Sequence, residues 1–385
     1  MLPKAHNVPA RDPSIALRTP TPLGRNPASV PVMAKEDLTA RRKDAHLDLA
    51  ATAEVEPAGN RTLLECVHLV HCAMPEMSVD EVDTSARFLG KTLRHPLLIT
   101  GMTGGTERAA EVNRALALLA EKYGVAFGVG SQRAMSEDPS RTGSFLVRDV
   151  APSVALLGNI GLQQAVKVGV AGVERLVKDI GADGIALHLN PGQELTQPEG
   201  DRDFRGGYAI VAELARAFGD RLVVKETGCG ISPSVARRLA EHGVKAMDVS
   251  GLGGTSWVRV EQLRAEGVSH DVGAAFSGWG IPTAAAVAGV RRAVGPEVKV
   301  IASGGIRNGL DAAKALALGA DLAGMALPLF KALQVGGPAA AERALQGVLT
   351  GLRQALVLTG SRSAARLREQ GAVITGDLKD WLAAL

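Results

Sequence analysis

Eight short apolar runs, each followed by a helix-like stretch, fill the chain from Pro96 to Ala326 and leave few folds open to it. The runs are Pro96–Gly101, Val125–Val129, Val154–Ile160, Gly184–Asn190, Leu222–Glu226, Ala246–Ser250, Val298–Ser303 and Leu322–Ala326. Bounded apolar runs of this length read as strands. Helices are expected at Ala109–Lys122, Ser140–Val150, Gln163–Asp179, Tyr208–Phe218, Ser234–Glu241, Thr283–Val294 and Leu310–Leu318, with a last pair through Ala339–Arg368. Most of them stop at a glycine just ahead of the next strand (Gly124, Gly181, Gly219, Gly243, Gly295, Gly319), where a left-handed cap favours that residue. Eight strand–helix units over about 250 residues are the count of an α/β protein of the (β/α)8 TIM-barrel class. A doubly wound sheet would carry a GxGxxG turn after its first strand, and the turn here reads GMTGGTE.

Ahead of the barrel, RTLLECVHLVHCAM (61–74) reads as a strand, and a helix-like segment starts at Leu38. Residues 1–37 form an N-terminal extension, expected to be a disordered Pro-rich tail, and 38–385 the catalytic domain. Residues 1–34 hold seven of the 19 prolines, with four of the 43 basic residues and one of the 40 acidic ones. The remainder is therefore neutral at 39 of each sign, which argues against a nucleic-acid-binding body. No run of 18 apolar residues is present, so no membrane partner is expected. The three cysteines, Cys66, Cys72 and Cys229, have no metal or redox spacing. With no apolar signal segment in the first 30 residues, a reduced, cytoplasmic setting is expected.

Function in such a barrel sits at the C-terminal strand ends. Those ends read Met102-Thr103-Gly104-Gly105, Gly130-Ser131-Gln132-Arg133, Gly158-Asn159-Ile160-Gly161, then the long stretch after strand 4, Lys225-Glu226-Thr227-Gly228, Asp248 to Thr255, Ser303 to Arg307, and Gly324 to Leu327. The loops GLGGT and SGGIR suit a phosphate, because bare backbone amides approach an anion closely. Lys225 ends an otherwise apolar strand; it either pairs with Glu226 or Asp248 as structure or, as favoured here, stabilises the anionic edge of a reduced flavin. After strand 4, His188, Asn190, Gln193, Glu194, Gln197, Glu199, Asp201, Arg202 and Asp203 fall within sixteen positions. Glu194 can hold Mg²⁺ if a diphosphate supplies further oxygens; standing alone it would read as a surface acid. Arg42, Lys43 and His46 share one helix side and form either a solvated face or, with Arg133, an anion site.

Taken together, RRKDAH (41–46), VHLVHCAMPE (67–76), MTGG (102–105), GSQR (130–133), GNIG (158–161), HLNPGQELTQPEGDRDF (188–204), VKETGCG (224–230), DVSGLGGTSW (248–257) and ASGGIRNGLDAAKALALGAD (302–321) resemble the FMN-dependent type 2 isopentenyl-diphosphate Δ-isomerases. The resemblance runs from about Arg41 to Trp381 and rests most on the 188–204 motif. It implies FMN contacts from Met102, Thr103, Gly104, Ser131, Asn159, Lys225, Ser250, Thr255, Gly304, Gly305, Arg307, Ala326 and Leu327. It implies substrate contacts from Arg42, Lys43, His46, Ser131, Gln132, Arg133, Asn190 and Gln193, and a Mg²⁺ ligand in Glu194. Gln193, Lys225 and His188 are the catalytic candidates, with the flavin a stronger base than an amide. Reduced FMN, NADPH as reductant, a small diphosphate substrate and a homotetramer or homooctamer are implied with them. The alternatives are a 2-hydroxyacid oxidase, which needs a late His base, an IMP-dehydrogenase-like enzyme, for which Cys229 is the one late cysteine, and a non-catalytic flavin or phosphate-binding barrel. Residues Gln197 to Asp203 are expected to form a lid or a subunit contact.

Overall fold

The structure, a computed structural model, describes residues 35–56, 59 and 61–385, with side chains from residue 41 onward. The proline-rich segment 1–34 lies outside the described residues. The eight expected strands are all present, at Leu97–Ile99 (β1), Ala126–Gly128 (β2), Leu156–Gly161 (β3), Gly184–Leu189 (β4), Leu222–Glu226 (β5), Ala246–Asp248 (β6), Lys299–Ala302 (β7) and Leu322–Met325 (β8). They are parallel and close into a barrel, β8 pairing β1 through Gly324 opposite Leu98. Each is short and nearly all buried, with one face to the barrel lumen and the other to the helices, which is why apolar runs rather than alternation mark them.

The lumen holds Leu98, Ala126, Leu157, Ala186, Val223, Ala246, Ile301 and Leu322. Phe88, Leu89 and Leu93 join this layer from a hairpin, Ala86–Phe88 against Lys91–Leu93. Its two turn residues, Leu89 and Gly90, have φ of 50° and 74°, the sign a tight two-residue hairpin requires. Leu89 accepts the unfavourable φ because its side chain is buried in the lumen layer. The closed floor leaves the opposite, C-terminal end as the open mouth.

Four helices shape that mouth. Lys35–Thr52 (α1) begins three residues before its expected start, and Pro191–Thr196 (α2) is a short turn of helix inside the polar stretch after β4. Trp257–Arg264 (α3) and Gly267–Phe276 (α4) form an inserted pair between β6 and the helix Thr283–Val294. The sequence pattern did not give this pair, because residues 257–276 lack a clear apolar face. Three other expectations are corrected. Residues 61–74 contain only a two-residue strand, Val67–His68 against Val373–Ile374, because Leu63 turns left-handed (φ 58°) into a 3₁₀ turn. The helix expected over 140–150 is a 3₁₀ segment, Pro139–Phe145, capped by Asp138. The terminal helix runs from Leu327 to Leu358 with a kink at Gly336-Gly337-Pro338, and a separate short helix, Ala364–Gln370, follows. Among the described residues no helix is long and apolar enough to cross a membrane.

Candidate active site

Two cavities open side by side at the barrel mouth. Gly101, Met102, Lys225, Thr227 and Trp257 line both, so the two spaces are contiguous. The first lies over β5–β8 and β1, the second over β2–β4 beneath α1.

Backbone builds the first cavity. Gly304 and Gly305 stand at φ of 97° and 79°, and a Cβ on Gly304 would meet the Gly251 carbonyl oxygen at 2.1 Å. A Cβ on Gly305 would meet the Gly253 oxygen at 2.4 Å, and one on Gly254 the Gly305 nitrogen at 2.4 Å. The loops after β6 and β7 therefore interlock main chain against main chain and present amides to the cavity. Thr283 ties them by donating from Oγ1 to the Gly304 carbonyl at 2.5 Å. Ser250, Ser303, Thr255 and Arg307 complete a wall suited to a phosphate ester, and Arg307 is ion-paired with Glu56. Ala326 and Leu327 form the opposite wall. These features fit a flavin phosphate and ring.

Lys225 stands where the two cavities meet and donates to the Glu226 carbonyl at 2.5 Å. The Glu226 side chain turns away: its Oε2 accepts from the amides of Thr227, Gly228, Cys229 and Gly230 and pins that loop. Burial lifts its carboxyl to about 7 against those donors. Burial and the neighbouring Glu226 push the Cys229 thiol up to about 12.

Side chains build the second cavity. α1 brings Arg42, Lys43 and His46 over it, and Arg133 enters from the end of β2. Burial, with Arg42 and Arg133 nearby, lowers Lys43 to about 7. Arg42 is lowered by burial and by Arg133, and its Nε has no hydrogen-bond partner. Buried cations crowded on one another in this way, only partly balanced by Glu199 and Glu261, suit an anionic ligand.

Beneath the cations lies a carboxylate that no motif marked. Glu261 on α3 is fully buried and accepts from His46 Nε2 at 2.9 Å, Gln193 Nε2 at 3.1 Å and Arg264. Gln197, with its amide turned to satisfy both neighbours, donates to Glu261 at 3.2 Å and accepts from Arg42 at 2.9 Å. Burial alone would raise the Glu261 carboxyl; the hydrogen bond and charge from His46, with Arg264 and Gln193, hold it at about 2 instead. Burial lowers His46 against the opposing hydrogen bond and charge of Glu261. In sequence Glu261 reads as an ordinary helix acid, VRVEQLR, and nothing in its spacing marks it.

His188 Nδ1 lies 2.8 Å from Asn159 Oδ1, and Asn159 Nδ2 donates to the Val129 carbonyl at 3.1 Å. The amide orientation makes His188 Nδ1 the donor and leaves Nε2 a bare acceptor. Burial, with Lys225 and Lys43 nearby, lowers His188 to about 3, so it stays neutral. Asn190 Nδ2 donates to Gln193 Oε1 at 3.2 Å and to Glu194 Oε1 at 3.0 Å, while Glu194 Oε2 accepts from the Asp201 amide at 2.8 Å. Asn190 Oδ1 is buried without a partner beside them. Among the described residues no three acids, histidines or cysteines cluster as metal ligands. One carboxylate with an orphan amide oxygen still suits Mg²⁺, which takes most of its oxygens from water and phosphate.

Most expected site residues thus line one cavity or both; Ser131 and Asn159 lie in the second rather than the first. Gln132, Thr103 and Gly104 line neither. Gln132 is fully buried, bonding the Asn159 amide and the Leu176 carbonyl. Gly104 packs flush on Phe145, and Thr103 is buried beneath the mouth. Trp257, edge-on to His46 at 5.2 Å, and Thr227 line both cavities and were not expected there. Residues 197–203 fold back on their own chain: Glu199 lies 3.7 Å from Arg42, and Asp201 bonds Gln164 and Lys167.

Residues 203–374 match the FMN-dependent dehydrogenase family. The chain superposes on a mandelate oxidase structure bearing an FMN adduct with a TM-score of 0.61 at 20% identity, over 88% of this chain and 99% of that one. That likeness shows the barrel fold. An isopentenyl-diphosphate delta-isomerase of Metallosphaera sedula is 45% identical over 347 residues, 89% of this chain and 94% of its own. One of a Synechococcus species is 46% identical over 344 residues, covering 89% and 98%. With nearly the whole barrel matched at this identity, the chain belongs to the isopentenyl-diphosphate delta-isomerase family.

Proposed function

We propose that the protein interconverts isopentenyl and dimethylallyl diphosphate, with FMN in the first cavity and the diphosphate in the second. The observation that carries this reading is the juxtaposition of two buried half-sites. A backbone-built phosphate cradle adjoins a pocket with an excess of buried cations, and Lys225 and Trp257 stand between them. The substrate has no acidic C–H, so a proton must be added at the terminal alkene carbon and another removed from the carbon nearer the diphosphate. Reduced FMN, when bound, supplies an acid–base nitrogen and an electron-rich face for this chemistry.

The chain's residues do the rest. Arg42, Lys43 and Arg133 neutralise the diphosphate, and His188 Nε2 offers an acceptor to a protonated oxygen or water at the same site. Glu194, with Asn190, would hold Mg²⁺ against the phosphate oxygens. Gln193, in the second cavity, would orient the reacting carbons, its amide held by Asn190 and by Glu261, whose carboxylate also fixes His46. α1 closes over the cations and excludes water, which strengthens each charge contact. The oxidoreductase alternatives lack their side chains: the one histidine between β6 and β8, His270 on α4, is exposed and lines neither cavity, and Cys229 remains a protonated thiol at neutral pH. The family resemblance supports NADPH as reductant, a homotetramer or homooctamer, and a cytoplasmic setting.

The test is anaerobic incubation of the protein with FMN, NADPH, Mg²⁺ and isopentenyl diphosphate. Dimethylallyl diphosphate should form; its absence, with flavin reduction by a hydroxyacid, would refute the isomerase reading. Glu194→Gln should abolish metal-dependent turnover while FMN stays bound.

A further inference from the structure

The second cavity is lined by acceptors as well as by cations. Gln164, in the first turn of the helix Leu162–Asp179, is 8% exposed and lines it together with His188, Asn190 and Glu194. Its Nε2 donates to Asp201 Oδ2 at 3.2 Å. A carboxylate only accepts, so this bond fixes the amide and leaves Oε1 as the acceptor end. The bond to Asn159 fixes His188 in the same way, with Nε2 as its acceptor. Both acceptors crowd over Gly161, which stands opposite His188 in the strand register. A Cβ on Gly161 would lie 2.1 Å from Gln164 Oε1 and 2.9 Å from His188 Nε2. Its φ of −76° suits any residue, so glycine is needed there for space alone. Among the described residues no donor reaches either acceptor.

The carboxylate that fixes Gln164 also reaches the acid expected to hold a metal. Asp201 takes Lys167 at 2.9 Å, and its own amide donates to Glu194 Oε2 at 2.8 Å. Gly200 permits this return of the chain: a Cβ there would meet the Glu194 carbonyl oxygen at 2.0 Å. The stretch 197–203 thus sets Gln164 and Glu194 in one frame, and Asn190 Oδ1 lies buried without a partner on the same residue that bonds Glu194. Two acceptors that face one place need a donor with two hydrogens. A water on Mg²⁺ is such a donor, since it turns its lone pair to the metal, and Mg²⁺ keeps several waters when it binds a phosphate.

We propose that Gln164 is a positioning residue of the diphosphate site: with His188 it accepts the hydrogens of one Mg²⁺-bound water, and so orients the metal–diphosphate complex rather than the diphosphate alone. The inference rests on the diphosphate reading of the second cavity above. It also gives residues 197–203 a task, because Asp201 aims the Gln164 amide while its backbone aims Glu194.

The experiment is a calorimetric titration of the full-length holoenzyme with inorganic diphosphate, in Mg²⁺ and in EDTA. Mg²⁺ should tighten binding in the parent protein. Gln164→Leu should lose roughly 10- to 100-fold of the affinity measured in Mg²⁺, the scale for a residue that supports a metal's shell. Its affinity in EDTA should equal the parent's. Gln164→Glu combined with Asp201→Asn reverses the hydrogen bond between the two positions, keeps an acceptor over Gly161, and should recover the Mg²⁺ effect. In a crystal structure of the parent with Mg²⁺ and diphosphate, which needs no variant, one oxygen of the metal's shell should lie within about 3.2 Å of both Gln164 Oε1 and His188 Nε2.

An equal loss in Mg²⁺ and in EDTA would overturn the proposal and leave Gln164 a structural prop of the loop. So would an unchanged affinity of Gln164→Leu in Mg²⁺, or a loss in EDTA alone, which would assign the acceptor pair to a water without a metal. A parent protein that binds diphosphate equally in both conditions would overturn the metal role and keep the diphosphate reading. One that binds no diphosphate at all would sink that reading and the proposal with it.

Discussion

The two halves of the barrel mouth solve the same problem, holding a phosphate, with different materials. Over β6–β8 the work is done by main chain: glycines at positive φ bring amides so close that a single methyl group has no room. Over β2–β4 it is done by long side chains, three of them cationic, delivered partly by a helix from outside the barrel. A main-chain site is rigid and holds one ligand in one place. A side-chain site collects charge but must order flexible groups, so it depends on a supporting layer, here Glu261, Gln193 and Gln197. The division suits a resident cofactor on one side and an exchanging substrate on the other.

The contrast can be broken where it is sharpest. Glu261→Gln removes the charge under the substrate half alone; kcat should fall by roughly 10² or more, the scale of a positioned acid–base network. FMN affinity, read by quenching of flavin fluorescence, should not change; if it falls in parallel, the halves are not separate. Gly304→Val should do the opposite. The added side chain meets the Gly251 backbone, and a cost of about 3 kcal/mol, roughly a hundredfold in FMN affinity, is expected from overpacking. Arg42→Ala should raise KM by roughly 10- to 100-fold, the worth of a charge-assisted hydrogen bond, with FMN binding unaltered.

The mildest test uses pH. With its lowering to about 7, Lys43 is largely neutral in the free protein above that pH. A diphosphate restores its proton, so binding should take up as much as one proton at about pH 8, and affinity should fall as pH rises. Below about pH 6 the lysine is already charged and the uptake should vanish. Calorimetry in buffers of different ionisation enthalpy reads the number, and Lys43→Met should abolish it. In the folded free protein the same shift makes the lysine a destabilising charge at low pH, a cost relieved as pH rises through 7 toward the unfolded value.

The same contrast explains what the sequence disclosed. All eight strands and the two glycine loops were legible, because a strand buried on both faces and a backbone without room for Cβ each leave a compositional mark. Arg42, Lys43 and Gln193 were legible as chemistry but not as geometry. Glu261 was not legible at all. Its function comes from being carried by an inserted helix to His46, 215 residues away, and nothing local to VRVEQLR records that meeting. The residues 197–203, for which a lid and a subunit contact were equally open, are used within the chain as counter-charges to Arg42 and Lys167. Gln132, Thr103 and Gly104 line neither cavity: Gln132 is tied to the Asn159 amide and the Leu176 carbonyl, and Thr103 Oγ1 is buried without a hydrogen-bond partner.

The position of α1 at the start of the chain has a consequence for synthesis. At about 5–20 residues per second, the 215 residues between His46 and Glu261 take roughly 10–40 s to emerge from the ribosome. For that interval the basic helix has no acceptor waiting for it. The interlocking loops of the cofactor half span only about 50 residues, but its opposite wall, Ala326 and Leu327, is made last, after β8. The first functional side chains to be made therefore wait through much of synthesis for their partner, yet His46 can meet Glu261 before β7 and β8 have completed the barrel.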